Sequence, residues 1–372
     1  MMIFLKNLVE FLLMLVYKKL LPKSSTSGND SILFINTGQI GDLTVSSIIL
    51  ENQAILSIYQ KAAFIVKQEY LELFEDYSGT IDLLSYNYKK YKFSLLYKYK
   101  FLKKLRVNGY NKCINLTAAR GILNDEMTIL SGAEELYCLN SNFRYLGQFW
   151  GKILNKKYSK IVTAEIYNEY EKHYKLLNIL SGNNYNDIKF KNELIFPKVA
   201  DPNLPFIPTS KNIISIAPFA SNPIRNWPLT NFERLIGFLN KDYLIILITS
   251  AEQETELKKI QTKYKNVFLA SGVKLNHIAS ILSSSIVYIG LDSGVTHIAV
   301  KMNVNSVAII GGGNFGRFFP FAKFTSCIYL YSKMECFGCD WICKFDKPYC
   351  HYNVSVDEVI NAVKKFLPDN GI

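Results

Sequence analysis

Short apolar runs alternate with helix-like segments along most of this chain, and this alternation is the feature that most constrains its fold. After a polar break at 23–30, the run "SILFIN" precedes a helix-like segment from about Leu43, and the runs "AAFIV" and "NKCINL" follow. The pattern returns beyond residue 212 with "NIISIA", "YLIILITS", "IVYIGL" and "SVAII". Continuous apolar runs between helices are typical of βαβ units with a buried parallel sheet. The sequence therefore predicts an α/β fold with two Rossmann-like domains.

A proline-rich stretch separates the two halves of this pattern. Four prolines lie between 196 and 212, and proline interrupts both helices and strands. The chain of 372 residues is long enough for two domains of ordinary size. We predict four segments: an amphipathic segment at 1–30, a Rossmann-like domain at 31–200, a second such domain at 213–354, and a C-terminal helix at 355–372.

Two helices of the second half carry start signals. "SVDEVINAVKKFL" opens with a capping box, in which Ser355 and Glu358 bond to each other's backbone N–H groups. Thr230 precedes the amphipathic pattern "NFERLIGFLN" and is the predicted cap of that helix.

The first residues form an apolar stretch that charges interrupt. Lys6 and Glu10 lie within it at i, i+4 spacing, and the longest uncharged run near its middle spans only 11–17. No small-residue cleavage site follows. Because a bilayer-spanning helix needs about 20 apolar residues, the pattern favours a helix lying in the membrane interface. A helix packed on the body of the protein and an uncleaved anchor are the alternatives.

Composition narrows the partners and the compartment. The formal net charge of +12 and the isoelectric point of about 9.1 favour an anionic partner: nucleic acid, anionic lipid or a phosphorylated small molecule. Seven cysteines, an odd number without a convincing export signal, indicate a cytosolic protein with thiols rather than a disulfide framework.

One stretch concentrates the positive charge. Between Leu83 and Asn124 there is no acidic residue, and basic residues interleave with tyrosines and phenylalanines. Such a patch suits an anionic membrane or a phosphorylated glycolipid, and a solvated helix face is the alternative. The residues concerned are Lys89, Lys90, Lys92, Lys98, Lys100, Lys103, Lys104, Arg106, Lys112 and Arg120, with Tyr86, Tyr88, Tyr91, Phe93, Tyr97, Tyr99 and Phe101.

The first strand-like run leads into the loop "NTGQIGD" at 36–42. The loop contains Gly38, Gln39 and Gly41 and ends in a lone carboxylate, Asp42. By itself this carboxylate could simply cap the helix that follows.

A second acid follows a later strand-like run, in "YIGLDSGVTHIAVKM". Asp292, Ser293 and Gly294 come directly after the run, and a helix carrying His297 begins there. Ligands bind outside the carboxyl ends of parallel strands, where a helix N-terminus offers N–H groups to a phosphate. Because two negative groups repel, Asp292 suits sugar hydroxyls instead. The alternatives are an N-cap role for Asp292 and a packed polar residue for His297.

The loop in "APFASNPIRNWPLTNFERL" supplies donors for a diphosphate. Ser221 and Asn222 stand beside the guanidinium of Arg225, whose planar fork makes strong, directional bonds to phosphate oxygens. Trp227 and Pro228 are expected to hold this loop on its domain.

A glycine run after the last strand-like segment resembles a dinucleotide fingerprint only superficially. Gly311, Gly313 and Gly316 have the GxGxxG spacing, but Phe318, Phe319 and Pro320 occupy the place of its helix. A flexible glycine loop bordering a cleft is the better interpretation.

Four cysteines cluster near the C-terminus with the spacing C-x2-C-x3-C-x6-C. Four thiolates could hold zinc or iron tetrahedrally in a structural site, and four protein ligands leave no open position for catalysis. Free thiols are the alternative. The residues are Cys336, Cys339, Cys343 and Cys350.

Taken together and in this order, the motifs "GQIGD", "RNWP", "GLDSGVTHIA", the glycine loop, the cysteine cluster and the final helix resemble glycosyltransferase family 9. The resemblance covers about 32–367. It implies a GT-B fold, with two Rossmann-like domains facing a central cleft, an acceptor-binding N-terminal domain and a C-terminal domain for a nucleotide-activated sugar. It also implies that the last helix packs back toward the N-terminal domain.

The resemblance assigns roles to the motif residues. It places the catalytic aspartate on Asp42, which would take the proton of an acceptor hydroxyl, and implies an inverting reaction with no metal requirement. The resemblance assigns Arg225, Asp292, Ser293, Gly294 and His297 to donor binding. Ser221 and Asn222 join the predicted donor site as polar neighbours of Arg225 in its loop, and Gly38, Gln39 and Gly41 form the predicted acceptor loop.

The function predicted from the sequence is transfer of a sugar, best heptose from ADP-heptose, to a lipopolysaccharide core or a related surface glycan. The bacterial enzyme would be cytoplasmic and peripheral at the inner membrane, with no cofactor for catalysis. A catalytically inactive nucleotide-sugar-binding scaffold and a basic nucleic-acid-binding protein are the alternatives.

Overall fold

The computed structural model describes residues 2–25, 30–77, 79, 81–139, 147–162, 166–182 and 212–367. The chain divides into two compact units, Met1–Lys191 and Asn192–Ile372. The predicted proline-rich linker at 196–212 lies outside the described residues except for Asn212.

A six-stranded parallel sheet forms the centre of the N-terminal unit, in the order β3-β2-β1-β4-β5-β6. Strand β1 is buried along its whole length, as its uninterrupted apolar sequence predicts. The strand order reverses between β1 and β4, so the loops after these strands leave a crevice at the edge of the sheet. The strands are β1 (Ser31–Ile35), β2 (Lys61–Lys67), β3 (Asp82–Tyr86), β4 (Lys112–Asn115), β5 (Glu135–Cys138) and β6 (Lys160–Ile161).

Helices cover this sheet. The helix after β1 begins at Ile40, earlier than the predicted Leu43, because Gln39 and Asp42 form a capping box that starts it. A 3₁₀ segment, Gln68–Tyr77, follows β2. The helices are α1 (Met2–Leu20), α2 (Ile40–Glu51), α3 (Gln53–Leu56), α4 (Tyr88–Phe93), α5 (Leu95–Asn108), α6 (Ile122–Leu130), α7 (Gly147–Asn155) and α8 (Glu169–Leu180).

Helix α1 packs on the unit that it precedes. Met14 and Tyr17, with Leu21 just beyond the helix end, lie in the hydrophobic core of the N-terminal unit. None of the described helices combines the length and apolar character that a membrane crossing requires. The interpretation of a helix packed on the body of the protein is therefore right for one face of α1.

The basic and aromatic stretch is not one surface, which corrects the prediction of a single patch. Tyr86 and Tyr91 lie in the core, where their rings are 5.7 Å apart. Lys98 is buried against Glu126, with 2.8 Å between Nζ and Oε2, and Arg120 is fully buried against Asp125. Buried cations need such partners, and both acids follow the stretch on helix α6. The other lysines of α4 and α5 remain exposed.

The C-terminal unit has its own parallel sheet, in the order β12-β11-β10-β7-β8-β9. The reversal of strand order here falls between β7 and β10, which places a crevice outside the carboxyl ends of these two strands. The strands are β7 (Ile213–Ala217), β8 (Leu244–Thr249), β9 (Val267–Ser271), β10 (Ser285–Leu291), β11 (Ser306–Ile309) and β12 (Cys327–Leu330).

Two helices of the C-terminal unit had predicted N-terminal caps, and one of the two predictions is confirmed. Ser355 and Glu358 form the predicted capping box of the final helix, whose Val359 and Val363 pack into the core of the C-terminal unit. The cap prediction for Thr230 is wrong, because the helix begins at Leu229 and Pro228 occupies the N-cap position. The helices are α9 (Leu229–Leu239), α10 (Glu254–Lys263), α11 (Leu275–Ser283), α12 (Gly294–Lys301), α13 (Tyr349–Tyr352) and α14 (Val356–Lys364).

Candidate active site

Asp42 lies in the first turn of α2, directly beyond the carboxyl end of β1. Its carboxylate Oδ2 accepts a hydrogen bond from the backbone N–H of Gln39 at 3.0 Å, and the residue is partly exposed. Asp42 therefore does cap the helix, as the alternative interpretation held. The same bond fixes the carboxylate at the β1–β4 crevice, so capping and a chemical role are compatible.

Two neighbours in the loop shape the position of this carboxylate. A Cβ atom on Gly38 would lie 2.6 Å from Asp42 Oδ2, so only glycine lets the loop approach the acid this closely. The side-chain oxygen of Gln39 accepts a bond from the Tyr70 hydroxyl at 2.7 Å. Gly41 lies inside the first turn of α2 rather than in the loop.

Asn36, the residue after β1, holds the loop 36–42 through hydrogen bonds of its side-chain amide. Its amide nitrogen donates to Ser46 Oγ at 2.7 Å and to the carbonyl of Asp42 at 3.2 Å, while its oxygen accepts from the N–H of Gly38 at 2.8 Å. Ser46 in turn contacts His173 Nε2 at 3.0 Å. This buried network holds the carboxylate-bearing loop rigid.

A second network joins the loops after β1 and β4. The N–H of Thr37 donates to Thr117 Oγ1 at 3.2 Å, and Asn124 Nδ2 donates to Thr37 Oγ1 at 3.2 Å. Asn115 reaches the buried Asp125–Arg120 pair, with 3.0 Å between Asn115 Nδ2 and Asp125 Oδ1. The crevice at the switch of strand order is therefore lined by a fixed polar frame.

Lys67 is a candidate that the sequence reasoning missed. It ends β2, the strand next to β1, and it is only 6% exposed. Burial lowers the pKa of its ammonium group, while the charges of Glu69 and Asp42 oppose that shift. Its Nζ lies 5.4 Å from the Tyr70 ring and 5.3 Å from the Tyr88 ring. The place of Lys67 at the end of the run "AAFIVK" was the signal available in the sequence.

In the C-terminal unit, Arg225 and Asp292 meet at the β7–β10 crevice. Arg225 Nη1 lies 3.9 Å from Asp292 Oδ2 and donates to the Asp292 carbonyl at 3.4 Å. Within the described chain, the buried Nε of Arg225 has no hydrogen-bond acceptor. A buried donor without an acceptor is costly, so this guanidinium is suited to a ligand oxygen.

A second guanidinium, Arg317, acts on the same carboxylate and was not predicted. Burial raises the pKa of Asp292, and the positive charges of Arg225 and Arg317 oppose that rise. Arg317 is only 9% exposed. Two guanidinium groups against one carboxylate leave a net positive charge, which favours an anion in this crevice.

The predicted residues of helix α12 lie beside this pair. Ser293 occupies the N-cap and Gly294 is the first helical residue, so Asp292 is not the cap that the alternative proposed. His297 lies one turn into the helix, 4.4 Å from the Phe319 ring between centroids. Burial, and then the charge of Arg225, lower its pKa to about 3. His297 therefore stays neutral at physiological pH.

The loop that carries Arg225 is held as predicted. Trp227 is buried, and its Nε1 donates to the carbonyl of Val354 at 3.0 Å. Asn222 accepts a bond from the N–H of Ile224 at 3.3 Å, which starts the short 3₁₀ turn that ends at Arg225. Asn222 and Ser221 are exposed, and they lie on the same loop as the guanidinium.

The glycine run makes room for an aromatic side chain. A Cβ on Gly311 would lie 2.5 Å from the ring of Trp341, and one on Gly313 would collide with the same ring. The described segment 310–326 turns without forming a helix, contrary to a dinucleotide fingerprint. Trp341 lies 5.2 Å from the guanidinium carbon of Arg225, so this loop backs the Arg225 site.

The four clustered cysteines line one small cavity of the C-terminal unit, together with Trp341. All seven cysteines have free thiols. Within the described part of the chain, no three or more His, Cys, Asp or Glu side chains are already arranged to hold a metal ion. The donor set suits zinc or iron, and the four thiols share one cavity without the close arrangement that a bound ion requires.

The comparison with protein families decides the affiliation. The family model described as glycosyltransferase family 9 (heptosyltransferase) matches residues 139–342, more than half of the 372 residues. The chain belongs to glycosyltransferase family 9. The resemblance drawn from the motifs is thereby confirmed, and the protein is a glycosyltransferase. A search of curated protein sequences found no match.

Solved structures confirm the GT-B fold class. A family 9 glycosyltransferase from Veillonella parvula DSM 2008 has a TM-score of 0.72 at 14% identity, over 92% of this chain and 99% of that one. E. coli heptosyltransferase WaaC, solved with ADP-2-deoxy-2-fluoro heptose, has a TM-score of 0.65 at 13% identity, over 90% of this chain and 99% of that one. The iron-containing dodecameric glycosyltransferase TibC from enterotoxigenic E. coli has a TM-score of 0.53 at 14% identity, over 91% of this chain and 76% of that one.

Proposed function

We propose that this chain is an inverting, metal-independent transferase that moves heptose from ADP-heptose to a lipopolysaccharide core or related surface glycan. The observation that carries the proposal is the Arg225 site: a partly buried guanidinium whose buried Nε has no acceptor in the described chain, next to Asp292 at the start of α12, on whose carboxylate the charge of Arg317 also acts. The similar structures of WaaC with ADP and with a heptose analogue support ADP-heptose as the donor.

On the donor side, Arg225 would bind the diphosphate. Its bonds strengthen as negative charge grows on the departing ADP, so the leaving group needs no proton from a second acid. The N–H groups at Ser293 and Gly294 add to this stabilisation. Asp292 would accept bonds from hydroxyls of the sugar, and the neutral His297 contributes no charge.

On the acceptor side, Asp42 would be the general base. A sugar hydroxyl becomes a competent nucleophile when a positioned carboxylate takes its proton. The oxygen then bonds to the anomeric carbon as the bond to the diphosphate breaks, which inverts that centre. Lys67 would attract an anionic group of the acceptor.

The cysteine cluster is proposed as a structural metal site. The structurally similar glycosyltransferase TibC is iron-containing, which supports iron, and zinc is equally compatible with four thiolates. When bound, the metal would hold the segment that carries Trp341 against Arg225 and would take no part in the chemistry. Metal analysis of purified protein should give about one ion per chain, lost in Cys339→Ser and retained in the control Cys327→Ser. Metal-free protein would contradict the proposal.

The transfer reaction is tested by donor binding followed by turnover. Thermal unfolding is measured with ADP-heptose and with UDP- and GDP-sugars, since a ligand that binds only the folded state raises its stability. We expect ADP-heptose to give the largest shift and ADP to be released once a glycan acceptor is added. Binding without ADP release from any acceptor would favour the inactive scaffold instead. Stabilisation by nucleic acid alone would favour the nucleic-acid-binding alternative.

A further inference from the structure

Apolar side chains are exposed along the whole outward side of α1, with Lys6, Lys18 and Lys19 among them. Its aliphatic and aromatic side chains are between 41% and 61% exposed, although one face of the same helix is already buried in the core. A group of exposed large apolar side chains next to charged ones is typical of a surface that contacts a partner or a membrane. The exposed side chains are Phe4, Leu5, Val9, Leu12, Leu15, Val16 and Leu20.

This apolar side continues onto two neighbouring elements. The Tyr17 hydroxyl donates to the carbonyl of Leu95 at 3.1 Å, which places the α4–α5 junction beside α1. Phe93 at this junction is 76% exposed, and Leu96 is 63% exposed. At the other end of α1, the rings of Phe4 and Phe149 lie 5.5 Å apart, and Phe149 is 57% exposed. We call this continuous area the α1 surface.

Exposed lysines accompany the α1 surface. They lie on the last turn of α1, just beyond it and on α4, and residues 83–124, which include α4, contain no acidic residue. Glu10 is the acidic residue of α1, and its Oε1 lies 4.0 Å from Lys6 Nζ, so the two form an ion pair. The lysines are Lys18, Lys19, Lys23, Lys89, Lys90 and Lys92.

We propose that the α1 surface binds the headgroup region of an anionic phospholipid bilayer. Aliphatic and phenyl side chains would enter the boundary between headgroups and acyl chains, while the lysines contact phosphates. A second copy of the chain is the poorer partner, because its lysines would meet like charges. The inference names the surface through which the proposed enzyme would reach a glycolipid acceptor, but it does not depend on catalysis.

Binding of the full-length protein to vesicles tests the proposal. Co-flotation is measured with vesicles of phosphatidylglycerol and phosphatidylethanolamine, and with vesicles of phosphatidylcholine alone. We expect binding to the anionic vesicles that is at least about tenfold tighter, and that weakens as salt increases. Equal binding to both compositions, or none to either, would overturn the proposal.

Two double variants divide the apolar contribution from the charged one. Leu12→Gln with Val16→Gln should weaken binding at least about tenfold, since two aliphatic side chains no longer enter the boundary. Lys18→Glu with Lys19→Glu should weaken binding to anionic vesicles by a similar factor, because each lysine near an anionic surface contributes attraction. Circular dichroism checks folding, and the lysine pair decides the matter if the apolar pair does not fold.

The matched control is Ile342→Gln, which replaces an apolar side chain that is 77% exposed in the C-terminal unit. Its vesicle binding should equal that of the unmodified chain, and an equal loss would overturn the assignment to α1. A change of oligomeric state in the Leu12 and Val16 variant, with vesicle binding intact, would show that a second copy covers the surface. ADP release with a water-soluble acceptor should be the same in both double variants of α1 as in the unmodified chain, so failure of this inference is distinguishable from failure of sugar transfer.

Discussion

The two crevices of this glycosyltransferase occupy equivalent places in their sheets, but the key side chains that line them carry opposite charges. The N-terminal crevice presents a partly exposed carboxylate, Asp42, held by a backbone bond and by the closeness of Gly38. The C-terminal crevice sets the partly buried Arg225 against Asp292, and the charge of the buried Arg317 acts on the same carboxylate. One arrangement suits proton removal and the other suits the binding of an anion, so equal topology does not imply equal chemistry.

The strongest test of this contrast is Asp42→Asn. The amide oxygen can still accept the bond from Gln39, so stability should change little, while turnover should fall at least about a hundredfold through loss of the base. Steady-state ADP release and thermal unfolding measure the two effects. Asp82→Asn, at an exposed acid in the same unit, is the control and should be fully active.

The burial of His297 predicts an acid sensitivity that originates in the C-terminal unit. Its pKa is lowered from 6.5 to about 3, so between these values the unfolded chain binds a proton that the folded chain does not. The free energy of unfolding should therefore fall as the pH drops below about 6.5, by about 2 kcal/mol at about pH 5 from this group. His297→Gln should remove that part of the decline in urea unfolding, and an unchanged pH dependence would contradict the assignment.

Arg225→Lys tests whether the donor crevice needs a planar fork or only a charge. The ammonium keeps the charge but cannot reproduce two parallel bonds to a diphosphate, so ADP affinity should fall about tenfold. Calorimetry with ADP measures the loss. Arg234→Lys, at an exposed position of α9, should bind ADP normally. Equal affinity in the two variants would mean that charge alone holds the nucleotide.

Gly38→Ala tests the position of the carboxylate in the N-terminal crevice, whereas Asp42→Asn removes the carboxylate. The added methyl group would press on the Asp42 side chain and displace it, so turnover should fall by about tenfold or less while ADP affinity stays the same. Gly79→Ala is the matched control, because a Cβ there would meet no atom within 4 Å. A loss of ADP affinity in Gly38→Ala would contradict the assignment of acceptor chemistry to the N-terminal crevice and of ADP binding to the C-terminal one.

Several features could be predicted because their signals are local. The buried strand β1, the acid that follows it and the capping box of Ser355 with Glu358 each depend on residues within a few positions of one another. Errors arose where distant residues intervened. Lys98 is a basic residue in a basic stretch, and its partner Glu126, 28 residues further along the chain, holds it in the interior.

The sequence alone determined the alternation of strands and helices, the family and the identity of the carboxylates that follow strands, because periodicity, caps and motifs are properties of short segments. Tertiary structure alone decided that Arg225 meets Asp292, 67 residues away, that the charge of Arg317 acts on the same carboxylate and that Trp341 fills the glycine run. Strand order decides such meetings. It follows from the burial of the whole sheet, to which residues far apart in the chain contribute together.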